Sequence, residues 1–271
     1  MKKSIRILLT GLLTLVFLFS ITQFWQQRQE KVVGNNSYSD ALALATSEKT
    51  AVSQIQTATA PEAPAPELQW VPAPLEEEDP HIQTLEQINL EALREVNPDV
   101  IGWILIPDTK INYPILQGSD NDYYLKHTWD GKRYAVGSIF MEHLNHSDFT
   151  DFNTIIYGHN MNDGSMFAGI REYRNLEYWE KHPYIYIRND QGSYRYEIFS
   201  SYLAKVGSHT YAIDFSKEES RYAFVNNAIV DSVIETGVEP DSTDRILTLS
   251  TCKGGSTTRW VVHARLKMIL E

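Results

Sequence analysis

Between Ile101 and Met268 the chain is cut into short runs rich in Ile, Val, Tyr and Phe, separated by Pro, Gly, Asn and Asp. That alternation constrains the fold more than any other feature, because short branched and aromatic runs with turn residues between them make strands. The strand-like runs are Ile101–Ile106 (closed by Pro107-Asp108), Ile111–Ile115, Tyr134–Met141, Thr154–Tyr157, Tyr184–Arg188, Tyr194–Leu203, Arg245–Thr251 and Arg259–Met268. Pro114 suits an edge or a strand end, since it lacks the N–H a central strand donates. Two segments follow a helical period instead. Thr84–Glu95 sets Leu85, Ile88 and Leu93 on one face and is stopped by Asn97-Pro98. Ser216–Glu235 does the same with Tyr222, Phe224, Val225, Ala228, Ile229, Val233 and Ile234. The expected class is mainly β with helical insertions: a barrel or sandwich with an N-terminal helix and a long helix ahead of the last two strands.

Ahead of this domain the composition changes. Ile7–Trp25 is nineteen residues without a charge, preceded by Lys2, Lys3 and Arg6. At about 1.5 Å per residue, such a helix matches a hydrocarbon core of about 30 Å. No small-residue cleavage site follows directly, which predicts an uncleaved single-pass anchor in the cell membrane, with the rest of the chain outside. Residues 26–80 are rich in Ala, Thr, Ser, Gln, Pro and Glu. Ala60-Pro61-Glu62-Ala63-Pro64-Ala65-Pro66 favours an extended, semi-rigid stalk. The expected organisation is therefore an anchor over 1–25, a stalk over 26–80 and a folded domain over 81–271. The net charge of -11 argues against nucleic acid, whose binders concentrate Lys and Arg.

Cys252 is the one cysteine of the chain and ends the run Thr248-Leu249-Ser250-Thr251-Cys252. A lone thiol in an exported protein is either a small buried hydrophobe or a reactive group. Tyr157-Gly158-His159-Asn160 ends another strand-like run, and Arg259 opens the last one. A thiol, a distant His and a nearby Arg are the parts of covalent acyl transfer. His143-x-x-His146 has metal-like spacing, but no third ligand or Cys pair accompanies it, so a solvated loop is the better reading and no cofactor or metal is expected.

These three motifs, in this order and on these element types, resemble the sortases, the cysteine transpeptidases that attach proteins to the Gram-positive cell wall. Further residues are similar to class B of that family. They are Gly102-Trp103-Ile104 with Ile106-Pro107, Thr109, Ile111 and Tyr113-Pro114; Asp120-Asn121 with Tyr123-Tyr124-Leu125; and His159-Asn160-Met161 with Gly164-Ser165-Met166-Phe167. The resemblance covers roughly 82–271 and implies a sortase-like closed β-barrel of about eight strands. It also implies roles: Cys252 as nucleophile, His159 as general acid and base, Arg259 as stabiliser of the oxyanion or the substrate carbonyl, and Asn121, Leu125 and Ser250 lining the groove for the sorting peptide. The implied partners are secreted proteins bearing a sorting signal, and an acceptor amine from peptidoglycan, its precursor or a pilin lysine. Two features depart from the family. Arg259 follows Cys252 by seven residues, a short loop in which Gly254-Gly255 suits a tight turn. Position 254 is Gly where some relatives have an acidic residue, so an acid-oriented triad through it is unsupported. Two other readings stay open on the residues alone: a cysteine peptidase that accepts water, and a binding module in which Cys252 only packs.

Overall fold

A computed structural model describes residues 2–47, 79–252 and 257–270. The strands are β1 (Val100–Leu105), β2 (Asn112–Leu116), β3 (Ile139–Met141), β4 (Asn153–His159), β5 (Tyr184–Asn189), β6 (Gly192–Lys205), β7 (Ile246–Cys252) and β8 (Thr258–Leu270). They close into a barrel in the order β1-β2-β3-β4-β7-β8-β6-β5. The pairs β2·β3 and β4·β7 are parallel, and the other pairs are antiparallel. The helices are α1 (Lys2–Ala45), α2 (Pro80–Glu86), α3 (Leu90–Val96), α4 (Leu176–Lys181) and α5 (Glu218–Asp231). The closed barrel with helical insertions is the architecture expected from the sequence.

The barrel core is apolar and closely filled, with Trp103, Ile104, Ile115, Phe140, Ile156, Ile187, Leu249 and Val262 all buried. A smaller cluster of Phe199, Tyr202, Phe224, Ala228 and Val261 packs under α5. β7 is buried along its length until Cys252, which is half-buried. Burial on both faces is why β7 does not alternate: Thr248, Ser250 and Thr251 are buried along with Ile246, Leu247 and Leu249.

Several boundaries differ from the periodicity. Thr84–Glu95 is two short helices, because the Asn89 side chain accepts from Ala92 N–H and caps α3 afresh. Its apolar face is as expected, with Leu85, Ile88 and Leu93 buried. α5 stops at Asp231, and Val233 N–H then donates to Ser201 C=O, joining the following segment to β6. In Tyr134–Met141 only the last three residues are strand, since Gly137 turns the chain in the left-handed region at φ 59°. Pro114 lies in a central strand, but β3 pairs with β2 only from Ile115 onward, so Pro114 sits where β2 has β1 alone beside it.

The N-terminal segment departs most from expectation. α1 continues to Ala45, and Tyr38, Ala41 and Ala45 are buried against the barrel. Their spacing is one helix face, and the first proline of the chain, Pro61, lies beyond it. The Pro-rich part of the expected stalk lies outside the described residues. The single-pass membrane anchor expected over 7–25 is corrected: among the described residues, no helix is long and apolar enough to cross a membrane. Thr14, Ser20 and Thr22 interrupt the run, each hydroxyl donating back to a helix carbonyl, and polar Gln26 and Arg28 follow.

Candidate active site

The parallel pair β4·β7 sets the geometry of the site. Its register runs from Asn153↔Ile246 to His159↔Cys252, so these two residues are paired at the C-terminal ends of adjacent strands. Neighbouring strands lie about 4.8 Å apart and paired residues point to the same side, so the 93-residue separation in sequence collapses to one strand spacing. On the other flank of β7, the β8 register reaches Ser250↔Val261. Arg259 lies two residues before Val261 as Cys252 lies two after Ser250, and both line one groove. There Trp260 N–H donates to Thr251 Oγ1 at 2.9 Å. His159, Cys252 and Arg259 thus stand on three consecutive strands at one end of the barrel.

The imidazole of His159 is held between two carbonyls. Nε2 is 2.7 Å from Leu125 O and Nδ1 is 3.3 Å from Cys252 O. A neutral imidazole has one N–H, so only the protonated ring donates to both. The backbone around it is tied as well. Asn160 N–H donates to Cys252 O, and Phe167 N–H donates to His159 O. Two glycines make room: a Cβ on Gly137 would come within 2.8 Å of His159 Cδ2, and one on Gly158 within 2.4 Å of Ile139 Cδ1.

Burial pushes the Cys252 thiol up to about 11, while the Arg259 guanidinium and the Gly158 backbone N–H act to lower it. The thiol form is therefore favoured at neutral pH. The Arg259 guanidinium donates to Thr258 O at 3.1 Å.

A groove of about 370 Å³ opens beside the thiol, lined by Cys252, Arg259, Asn121, Leu125, Ser250 and Tyr211 among others. The structure therefore brings all six residues expected from the sequence to one place, with His159 beside Cys252 outside the groove lining. Ser250 Oγ is 3.0 Å from Tyr211 OH. The Asn121 amide is oriented at both ends: Nδ2 donates to Glu142 Oε2 at 2.7 Å, and Oδ1 accepts from His143 N–H at 3.0 Å.

Three participants escaped the sequence reading. Tyr157 and Tyr211 are groove walls, 6.4 Å apart and stacked. Tyr157 precedes His159 by two residues on β4, so strand alternation alone pointed to it. Buried Glu142 accepts from both Asn121 and the Tyr157 hydroxyl, the latter at 2.9 Å; nothing in its local sequence marks it. A larger cavity, about 710 Å³, lies between α5 and residues 232–242, with neither Cys nor His in its wall. His143 and His146 pair instead with Glu142 and Asp151 at 2.7 and 2.8 Å. No group of three metal-ligating side chains occurs among the described residues.

Comparison with known proteins agrees with this geometry. A family-wide profile described as Sortase domain matches residues 104–267. Sortase B of Listeria monocytogenes is 38% identical over 180 residues, covering 65% of this chain and 73% of its own. Sortase B of Staphylococcus aureus is 35% identical over 179 residues, with the same coverage. Among solved structures, a Staphylococcus aureus sortase B-substrate complex superposes with a TM-score of 0.65 at 34% identity, covering 69% of this chain and 87% of that one. Sortase B from B. anthracis in complex with AAEK1 superposes with a TM-score of 0.68 at 30% identity, covering 88% of this chain and 98% of that one.

Proposed function

Since this chain belongs to the sortase family, in its class B, and is a cysteine transpeptidase, we propose that it cleaves the sorting signal of secreted proteins through a thioester on Cys252. The acyl group then passes to an amine of peptidoglycan or its precursor, or to a pilin lysine. The observation that carries the assignment of roles is the row His159, Cys252, Arg259 on β4, β7 and β8, beside a groove.

In the first half-reaction Cys252 Sγ attacks the scissile carbonyl carbon and the C–N bond breaks. The thiol proton goes to the medium or to His159, and His159 delivers a proton to the departing amine. In the second, His159 removes a proton from the incoming amine, which attacks the thioester and releases Cys252. Arg259 supplies fixed donors to the oxyanion formed in both steps, in a half-buried site where such a charge is worth more than in water. Bound peptide brings the carbonyl to the thiol, and the guanidinium beside Cys252 opposes the burial that holds it protonated. Asn121, Leu125 and Ser250 would contact the peptide, with the Asn121 amide oriented by Glu142. The catalytic domain spans 81–271 in this reading.

The test is intact-mass spectrometry of the protein mixed with sorting-signal peptides, with and without an amine acceptor, and Cys252→Ala in parallel. The expected result is an adduct on the wild type only, discharged as a ligated peptide when amine is present. Discharge only as free acid would replace transpeptidation with hydrolysis of cell-surface peptides. An unreactive thiol with every peptide would sink the assignment.

A further inference from the structure

The end of α1 is not a passive tether to the barrel. Three of its residues grip the two chain segments that flank His159. Before His159 in sequence lies the 124–138 segment, whose Leu125 carbonyl faces His159 Nε2 at 2.7 Å. α1 holds it at two points: Trp129 Nε1–H donates to Ser37 O at 2.7 Å, and the buried Tyr38 hydroxyl donates to Gly137 O and lies 3.2 Å from Ser138 Oγ. Ser138 in turn donates through Oγ to His127 O at 2.7 Å and through its N–H to Tyr124 O at 2.8 Å. Gly137 is the residue packed against the imidazole edge.

After His159 lies the 160–167 loop. Asn35 Nδ2 donates to Asp163 Oδ2 at 3.1 Å. The Tyr38 ring packs edge-on against Tyr113 at 5.3 Å, and Tyr113 OH accepts from Met166 N–H at 3.1 Å. Burial keeps the Tyr38 phenol protonated and so a donor. A Cβ at Gly34 would come within 2.7 Å of Val136, so the helix is seated directly on this segment.

We propose that Tyr38 is a positioning residue for His159: through the Gly137 carbonyl and Ser138 it fixes the segment that presents Leu125 O to the imidazole. The N-terminal helix thereby becomes part of the acid–base machinery. Tyr38 itself touches neither peptide nor thiol. The kinetic part of this inference rests on the transpeptidase reading above; the imidazole part does not.

The experiment uses the full chain and Tyr38→Phe, which keeps the ring packing and removes the hydroxyl. Two quantities are read: the ¹⁵N signals of the His159 ring, and kcat and KM for a sorting-signal peptide with an amine acceptor. The expected result is shifted His159 ring signals and a kcat lowered about fivefold at nearly constant KM, the scale of one lost hydrogen bond. Trp129→Phe, which removes the donor to Ser37 O, should move both in the same direction. Ring signals and kcat identical to wild type, with or without a lower melting temperature, would confine Tyr38 to packing and overturn the proposal. A lower kcat with unmoved ring signals would overturn it too, since the effect would not pass through His159. If the wild type forms no acyl-enzyme, the transpeptidase reading fails, while the ring signals still decide the imidazole part.

Discussion

Two histidines flank the same strand and are built for opposite purposes. His159 stands on the β4 side of β7, paired with Cys252, with carbonyls at both ring nitrogens. His263 stands on the β8 side, paired with Thr248, with hydroxyls at both: Thr248 Oγ1 at 2.9 Å and Tyr202 OH at 3.0 Å. Thr248 donates onward to Asn153 Oδ1 at 2.6 Å, so its oxygen accepts from His263 Nδ1–H and Tyr202 donates to Nε2. That network holds a neutral ring. The site is fully buried among Phe199, Tyr202 and Phe224, and burial pushes His263 down to about 3. Hydroxyls in a dry aromatic cage exclude a second ring proton from His263. Surroundings, and not residue type, separate the histidine at the groove end from the buried one.

The comparison breaks most decisively if function and stability fail to separate. Cys252→Ala should remove the partner of His159 and cost on the order of 10⁴-fold or more in transpeptidation, measured by product formation, with the fold retained. His159→Asn should cost about 10²- to 10⁴-fold in kcat while leaving the thermal midpoint nearly unchanged. Arg259→Lys keeps the charge but loses the planar fork, and a fall of about 10²-fold in kcat/KM is expected. A Lys variant with wild-type kinetics would show that charge alone suffices there.

His263→Gln should do the reverse of His159→Asn. We expect a loss of about 1–3 kcal/mol in urea unfolding at pH 7, with activity per folded molecule retained. The same residue makes the wild type acid-sensitive. Its folded value is depressed, so the unfolded chain binds the proton first. The contribution of neutral His263 is complete above about pH 6.5 and is lost as pH falls toward about 3. Between pH 6.5 and 4.5 that amounts to about 2–3 kcal/mol, and His263→Gln should flatten this part of the stability curve. An unchanged slope would show that His263 does not govern it. The smallest effect concerns the thiol: it stands at about 11 with Arg259 acting to lower it, so Arg259→Ala should shift the alkylation-versus-pH curve of Cys252 further upward.

Much of this was legible in the chain. The strand runs, the α5 period and the motifs around His159, Cys252 and Arg259 are local signals, and each falls on the element it announced. β7 was readable because Ile246, Leu247 and Leu249 give it a short apolar run, and Ile and Thr favour extended backbone. Tyr157 was within reach by strand alternation and was missed. Glu142 and Tyr38 were not within reach: one is a single acid after a short strand, the other a tyrosine near the Ala- and Ser-containing end of α1, and each acquires meaning only from what packs on it. The membrane anchor shows the opposite failure, a strong local pattern that the described helix does not sustain.

By itself the sequence determined the element types and the candidate residues of the site, because backbone propensity and side-chain chemistry are local properties. Only the tertiary structure decided that His159 faces Cys252 across a parallel ladder, that Glu142 orients Asn121, and that α1 closes over the 124–138 segment. Register and packing join residues far apart in the chain, and the energies that select them exist only once the barrel has closed.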